Sequence, residues 1–422
     1  MSSTASVDNN IWMKAVMYAG VIAVIGLVSY GALAVGAGGY FHHEYEENKE
    51  MYEEAKANGE DYSEFKEDKE AAHLQYLNFK VGGTAILYMC IVYAAFLGVG
   101  GFINSTQPNE EHHDDHDDHH EHHGSFSPII FALGVMLFLM GFPEFVDTVT
   151  PLINGEGGGA SGALLSTIGL VVIVAAVGNW WREDLPFNGE GEQIATSWPF
   201  EGQDVRKVGL WVFIMSEIMV FASFFSSYLR MRTEWCTDWA IRAEMGECAD
   251  VALGTVVTAS DLLRYDLGKL MPGAINTFAL IISSYTIVLA LKTAKSKYTE
   301  DNPFKAPKLL PFLKDKKSAV RFYLLATFLL GSMFIVLKLI EWSHLIHEGF
   351  TIQSPQGSIF YIATGAHGLH VFIGLLVMLY MIFKADTIEF DEDNGQGIEY
   401  FGLYWHFVDL AWVAIFPAFY LY

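Results

Sequence analysis

The chain has 422 residues, 52% of them hydrophobic and 14% aromatic, with 25 basic against 49 acidic side chains and a formal net charge of -24. The apolar share is high for a soluble domain, and the acidic balance argues against nucleic acid and toward cationic partners. Three cysteines, Cys90, Cys236 and Cys248, are too few for a zinc framework or a cysteine-ligated cluster. A helix needs about 20 mostly apolar residues to cross a bilayer core of about 30 Å. Nine runs come near that length, at 11–35, 81–103, 129–145, 164–181, 208–229, 275–291, 322–346, 359–383 and 400–420, which predicts an all-α integral membrane protein.

The first run is too long for a signal-peptide core and has Lys14 as its only early cation, so it reads as a mature helix. Between the first and second runs lies an acidic segment, 41–70, read as a solvated helix or disordered loop. Its aromatics Tyr45, Tyr52, Tyr62 and Phe65 could dock on a neighbour, but a solvated charged face is the reading favoured here. After the second run comes EEHHDDHDDHHEHHG, in which His112, His113, His116, His119, His120, His122 and His123 alternate with carboxylates. Imidazole and carboxylate suit zinc, copper or nickel. A low-complexity tract fixes no coordination geometry, so loose binding by a polar linker is expected. Composition changes near Phe126, giving a two-helix extension over 1–104, a linker over 105–126 and a seven-helix part over 127–422.

The loop between the sixth and seventh runs carries Lys292, Lys295, Lys297, Lys305, Lys308, Lys314, Lys316, Lys317 and Arg321. Cytoplasmic loops hold such an excess, which puts the N-terminus inside and the C-terminus outside. Cys236 and Cys248 then share an outer loop, where an oxidising compartment would allow a disulfide.

An ionisable residue in mid-membrane costs at least about 2.5 to 3.5 kcal/mol on insertion scales and is a functional hypothesis by default. Glu217 lies mid-span in the fifth run, with Ser216, Ser223 and Ser227 at helical spacing. It should be protonated unless a cation pairs with it, and serves either proton handling or helix contact. Lys338 and Glu341 stand at i, i+3, followed by His344 and Glu348, and read as a buried structural ion pair. His367 and His370 share the eighth run, and His406 and Asp409 the ninth, where the carboxylate could orient the imidazole. Neither His pair brings the further ligands of a closed metal or haem site, so helix packing is the better reading. Asn276, Thr277, Ser283, Ser284 and Thr286 make the sixth run polar on more than one side.

Several of these strings occur together in one order. NWWRED at 179–184, KVGLWVFIMSEIMVF at 207–221, NTFALIISSYT at 276–286, KLIEW at 338–342, IATGAHGLHVFIGL at 362–375 and YWHFVDLAW at 404–412 resemble subunit III of the haem-copper cytochrome c and quinol oxidases. The resemblance covers about residues 127–422. It implies a seven-helix subunit in which two helices splay from five around a V-shaped, lipid-filled cleft. It implies, further, that this chain binds no haem or copper, which belong to the partner subunits I and II. Its role would be non-catalytic: supporting subunit I through packing, bound phospholipid and proton uptake. The family's intramembrane acid falls on Glu217, its polar packing set on Glu341, His367, His370, His406 and Asp409, and lipid headgroup contacts near Trp181, Arg182 and Lys384. Where Lys338 stands, the family commonly has a neutral polar residue. The stretch 185–203 lacks the family's usual histidine-containing segment.

On this reading the chain resides in the plasma membrane of a prokaryote in preference to a mitochondrial inner membrane. The acidic outer segment would suit a basic electron donor. The alternative function is a proton- or metal-coupled secondary transporter, suggested by Glu217, the Lys338 and Glu341 pair and the His-rich tract. A structural scaffold is a third.

Overall fold

The computed structural model describes residues 5–59, 62–105, 126–153, 164–184, 194–195, 198–233, 242, 267–296, 304–305, 313, 315–347, 350, 352, 355–387, 390 and 395–421. Of residues 5–10, 102–105, 145–153, 180–184, 230–233, 267–269, 355–356, 387 and 421, the backbone alone is described. Among the described residues every named element is helical. Among the described residues eight helices are long and apolar enough to cross a membrane, and the stretch Leu164–Asn179 is apolar but shorter. Each of the nine runs read from the sequence falls on a helix, and the chain is a membrane protein.

Two compact units emerge, one from Met1–Lys14 and Gly98–Gln193, the other from Ala15–Leu97 and Ile194–Tyr422. The helices α4 (Ser127–Ile153) and α5 (Leu164–Asp184) belong to the first. They cross closely: a Cβ built on Gly169 would lie 2.3 Å from the Phe138 nitrogen, so only glycine fits there. Polar side chains fasten the crossing, Ser166 donating to the Phe138 carbonyl at 3.0 Å and the Asn179 amide to the Ser127 hydroxyl at 2.9 Å.

From Ala15 on in the second unit, α1 (Ala5–Tyr30) passes through a π-helical stretch, Gly31–Ala37, into α2 (Gly38–Asn58) without a break. Gly59, at φ 73°, supplies the left-handed residue that ends α2 and lets the chain turn. The return helix α3 (Ser63–Ser105) has 43 residues, about 65 Å at 1.5 Å per residue, roughly twice a bilayer core. On both sides of the turn at Gly59 the described residues of the acidic segment are thus helical up to Asn58 and from Ser63, a direct continuation of two spans. Most of the segment's described side chains are exposed, and its aromatics, half-buried or exposed, pair with rings of the returning chain. Phe41 stacks on Phe79 at 5.4 Å, His42 meets Tyr76 at 4.8 Å, Tyr45 meets His73 at 4.7 Å and Tyr52 meets Tyr62 at 5.5 Å. Rings therefore line the inside of the hairpin. Deeper down, Gly83 lets the two rods touch, since a Cβ there would sit 2.7 Å from the Ala34 nitrogen.

The same unit holds α6 (Val205–Thr233), α7 (Leu267–Lys295), α8 (Lys316–His347), α9 (Pro355–Thr387) and α10 (Gln396–Phe416), the last continuing as a π-helical turn, Pro417–Leu421. The seven helices named after residue 126 among the described residues thus divide two and five between the units. The five-helix core closes around Trp405, Trp412 and Phe334, none more than marginally exposed. Each indole N–H finds an acceptor on α7: Trp405 bonds the Ser283 hydroxyl at 2.8 Å and Trp412 the Thr277 hydroxyl at 3.0 Å. These contacts fix α7 antiparallel to α10.

Charge clamps close the end that bears the lysine-rich loop. Glu399 at the start of α10 accepts from Lys207 of α6 at 2.8 Å and from Lys295 of α7. Arg321 of α8 pairs with Asp386 of α9 at 2.7 Å. Tyr18 of α1 joins them, receiving an N–H from Arg321 at 3.1 Å and donating to Asp386 at 2.9 Å. The N-terminal hairpin is therefore bonded to the five-helix bundle.

Candidate functional site

Glu217 projects from α6 toward α9, where its Oε2 lies 3.1 Å from His370 Nε2, both side chains less than a fifth exposed. His370 Nδ1 is 2.7 Å from the Ala366 carbonyl, which can only accept, so Nδ1 carries a hydrogen. The contact thus joins a carboxyl oxygen of α6 to an imidazole nitrogen of α9. Tyr404 of α10 donates to the His370 carbonyl at 2.9 Å, and the Phe221 ring covers the imidazole at 5.5 Å. Ser216, Ser223 and Ser227 take no part: each bonds back to its own helix, at Phe213, Val220 and Ser223.

A second constellation sits in the core. Lys338 Nζ is 2.8 Å from Glu341 Oε1, with 3% and 6% of the two side chains exposed, so the pair is closed off from solvent and lipid. Tyr420, on the final turn, accepts from Lys338 and donates to Glu341. The ammonium also faces the rings of Phe360, Trp412 and Tyr420 at 4.9, 5.3 and 4.9 Å. His344 follows one turn on, half-buried.

The other histidines separate. His367 is fully buried and its Nε2 lies 3.0 Å from the Val408 carbonyl, while His370 serves Glu217, so the two do not converge on one ligand. His406 and Asp409 do not bond each other directly. Ser284 of α7 stands between them, 2.8 Å from His406 Nδ1 and donating to Asp409. Ser283 supports Trp405, and Asn276 is completely buried. Among the described residues no three His, Cys, Asp or Glu side chains gather as a metal site.

Residues 311–422 match the family Cytochrome c oxidase subunit III. The C-terminal region carries a subunit III domain. Proteins named "Probable quinol oxidase subunit 3" are similar over a longer stretch. That of Staphylococcus saprophyticus is 27% identical over 219 residues, 52% of this chain and 89% of the relative. The protein of Staphylococcus haemolyticus is 28% identical over 222 residues, 52% and 90%, and that of Staphylococcus aureus strain USA300 is 28% identical over 220 residues, 52% and 89%. The N-terminal region lies outside these matches.

Lys338, Glu341, His344, His367, His370, Lys384, His406 and Asp409 fall inside the subunit III match, whereas Glu217, Asn276 and Ser283 precede it. Lys384 is half-buried near the end of α9. The side chains of Trp181 and Arg182, the histidines of 112–123, Glu348, and Cys236 with Cys248 lie outside the described residues. Sequence reasoning passed over Tyr420, whose role depends on the π-helical continuation of α10 that sets its hydroxyl against Lys338 and Glu341 of α8, and over the pairing of Glu217 with His370, which are 153 positions apart.

Proposed function

We propose that this chain is the non-catalytic third subunit of a respiratory haem-copper terminal oxidase, seated beside subunits I and II in a bacterial plasma membrane. The subunit III match over residues 311–422 carries this reading, and the similarity to bacterial quinol oxidase subunits supports it. Haem and copper belong to the partner subunits. The N-terminus faces the cytoplasm and the acidic hairpin the outside, where its charge suits a basic electron donor. Phospholipid fills the space that the family leaves between two helices and five.

Within this role the Glu217 and His370 pair contributes by holding one proton between two helices. A carboxyl and an imidazole 3.1 Å apart are within reach for passing a proton from one helix to the other. Coupling it to proton uptake by subunit I gives the subunit a part in sustained turnover.

Purification of the tagged chain under mild detergent tests the assignment. Haem-bearing partners should accompany it, and the Glu217→Gln complex should assemble yet lose proton uptake or activity during prolonged turnover. A chain that purifies without partners and drives proton or metal flux alone in liposomes would instead be a transporter. Unchanged turnover in Glu217→Gln would leave the subunit a scaffold.

A further inference from the structure

The core of the five-helix bundle has polar atoms that no described residue satisfies. Among the described residues, Asn276 has no partner for either its amide nitrogen or its oxygen, Glu341 none for Oε2, His367 none for Nδ1, Asp409 none for Oδ1 and Trp342 none for Nε1. All but Trp342, which is half-buried, are enclosed residues, with Asn276 and His367 at 0% exposure, Glu341 at 5% and Asp409 at 6%. A buried polar group left unpaired costs about 1–3 kcal/mol, so native interiors rarely leave several together.

Three of these residues share a level in the bundle. Trp412 marks it: its N–H bonds Thr277, the neighbour of Asn276, its ring lies 5.1 Å from the His367 ring, and Lys338, the partner of Glu341, stands 5.3 Å above it. Asp409 lies one turn before Trp412 on α10, next to Val408, whose carbonyl holds His367.

The chemistry of the unpaired atoms selects the ligand. His367 has its hydrogen on Nε2, because the Val408 carbonyl accepts there, so Nδ1 is a lone pair awaiting a donor. Glu341 Oε2 and Asn276 Oδ1 are acceptors too. Lys338 is already committed to Glu341 and Tyr420, and that group is electrically balanced. An ion would upset the balance, and an apolar molecule would satisfy nothing. What fits is a small neutral molecule that donates twice and accepts.

We infer that ordered water is bound at this level of the bundle, bridging Asn276 and His367 and reaching the Lys338 and Glu341 pair. Buried water of this kind makes about three hydrogen bonds to groups the fold leaves unpaired. It gives the ion pair and the imidazole a shared proton-exchanging contact sealed from lipid by Phe334, Phe360 and Trp412. The inference rests on the bundle itself and not on the oxidase assignment.

The test is a map of the purified full-length protein, alone or in its complex, at a resolution that shows water, for the wild type and for Asn276→Leu. Density within hydrogen-bond distance of the Asn276 amide and His367 Nδ1 is expected, with loss of that density and a lower melting temperature in the variant. A dry wild-type core overturns the inference whatever the variant does. A higher melting temperature in Asn276→Leu also counts against it, because replacing an unpaired amide by an apolar side chain of similar size stabilises only a dry site. Should the variant fail to assemble, the wild-type map alone decides.

Discussion

Replacing Glu341 by Met separates the buried charge pair and should be among the most destabilising changes in the bundle. At 2.8 Å, and with an effective dielectric constant near 20, the attraction between Lys338 and Glu341 is about 6 kcal/mol. Desolvation offsets part of it, and removal of one partner from such a pair costs about 3–5 kcal/mol because the other charge stays enclosed. Lys338→Met should cost a similar amount. The double variant Lys338→Met, Glu341→Met leaves no charge behind and strands only the Tyr420 hydroxyl, worth about 1–3 kcal/mol. It should therefore be no less stable than either single variant, giving a coupling energy of about 3 kcal/mol or more. Denaturant titration of the four full-length proteins in mixed micelles, followed by tryptophan fluorescence, measures the cycle, with Trp412 reporting from 5.3 Å. Additive losses, or a Glu341→Met protein as stable as the wild type, would refute the reasoning.

At the Glu217 site, Glu217→Gln keeps an N–H donor for His370 and should change stability by no more than about 1 kcal/mol, whereas His370→Leu strands the carboxyl and should cost about 1–3 kcal/mol; the same titration compares them. Tyr18→Phe deletes the hydroxyl between Arg321 and Asp386 and should loosen the N-terminal hairpin, raising its cleavage rate by a protease added to the detergent-solubilised protein while the core stays resistant. Glu399→Gln breaks a clamp whose three members are about a quarter to a third exposed; the loss should stay near 1 kcal/mol and shrink further in high salt, which thermal melts at two ionic strengths would show.

Sequence was sufficient for the helices, because each spanning segment must satisfy its own backbone in lipid and so writes a long apolar run into the chain. It sufficed also for the pair Lys338 and Glu341, since i, i+3 spacing on one helix already brings the charges together. The ordered motifs carried the resemblance to subunit III. Partners that come from different helices were not readable. Spacing cannot say that Glu217 meets His370, that Ser284 stands between His406 and Asp409, or that Tyr420 completes the core pair, because interhelical register depends on packing around Trp405 and Trp412. The acidic segment 41–70 reads from its charges as a solvated helix or a loop, and its described residues are helical and largely exposed; the ring pairs that join it as a hairpin were not readable, because they form across two helices. What the sequence alone determined is each helix and its lipid-facing chemistry; the tertiary structure decided which polar groups meet, because in a membrane those meetings are set by side chains contributed from distant parts of the chain.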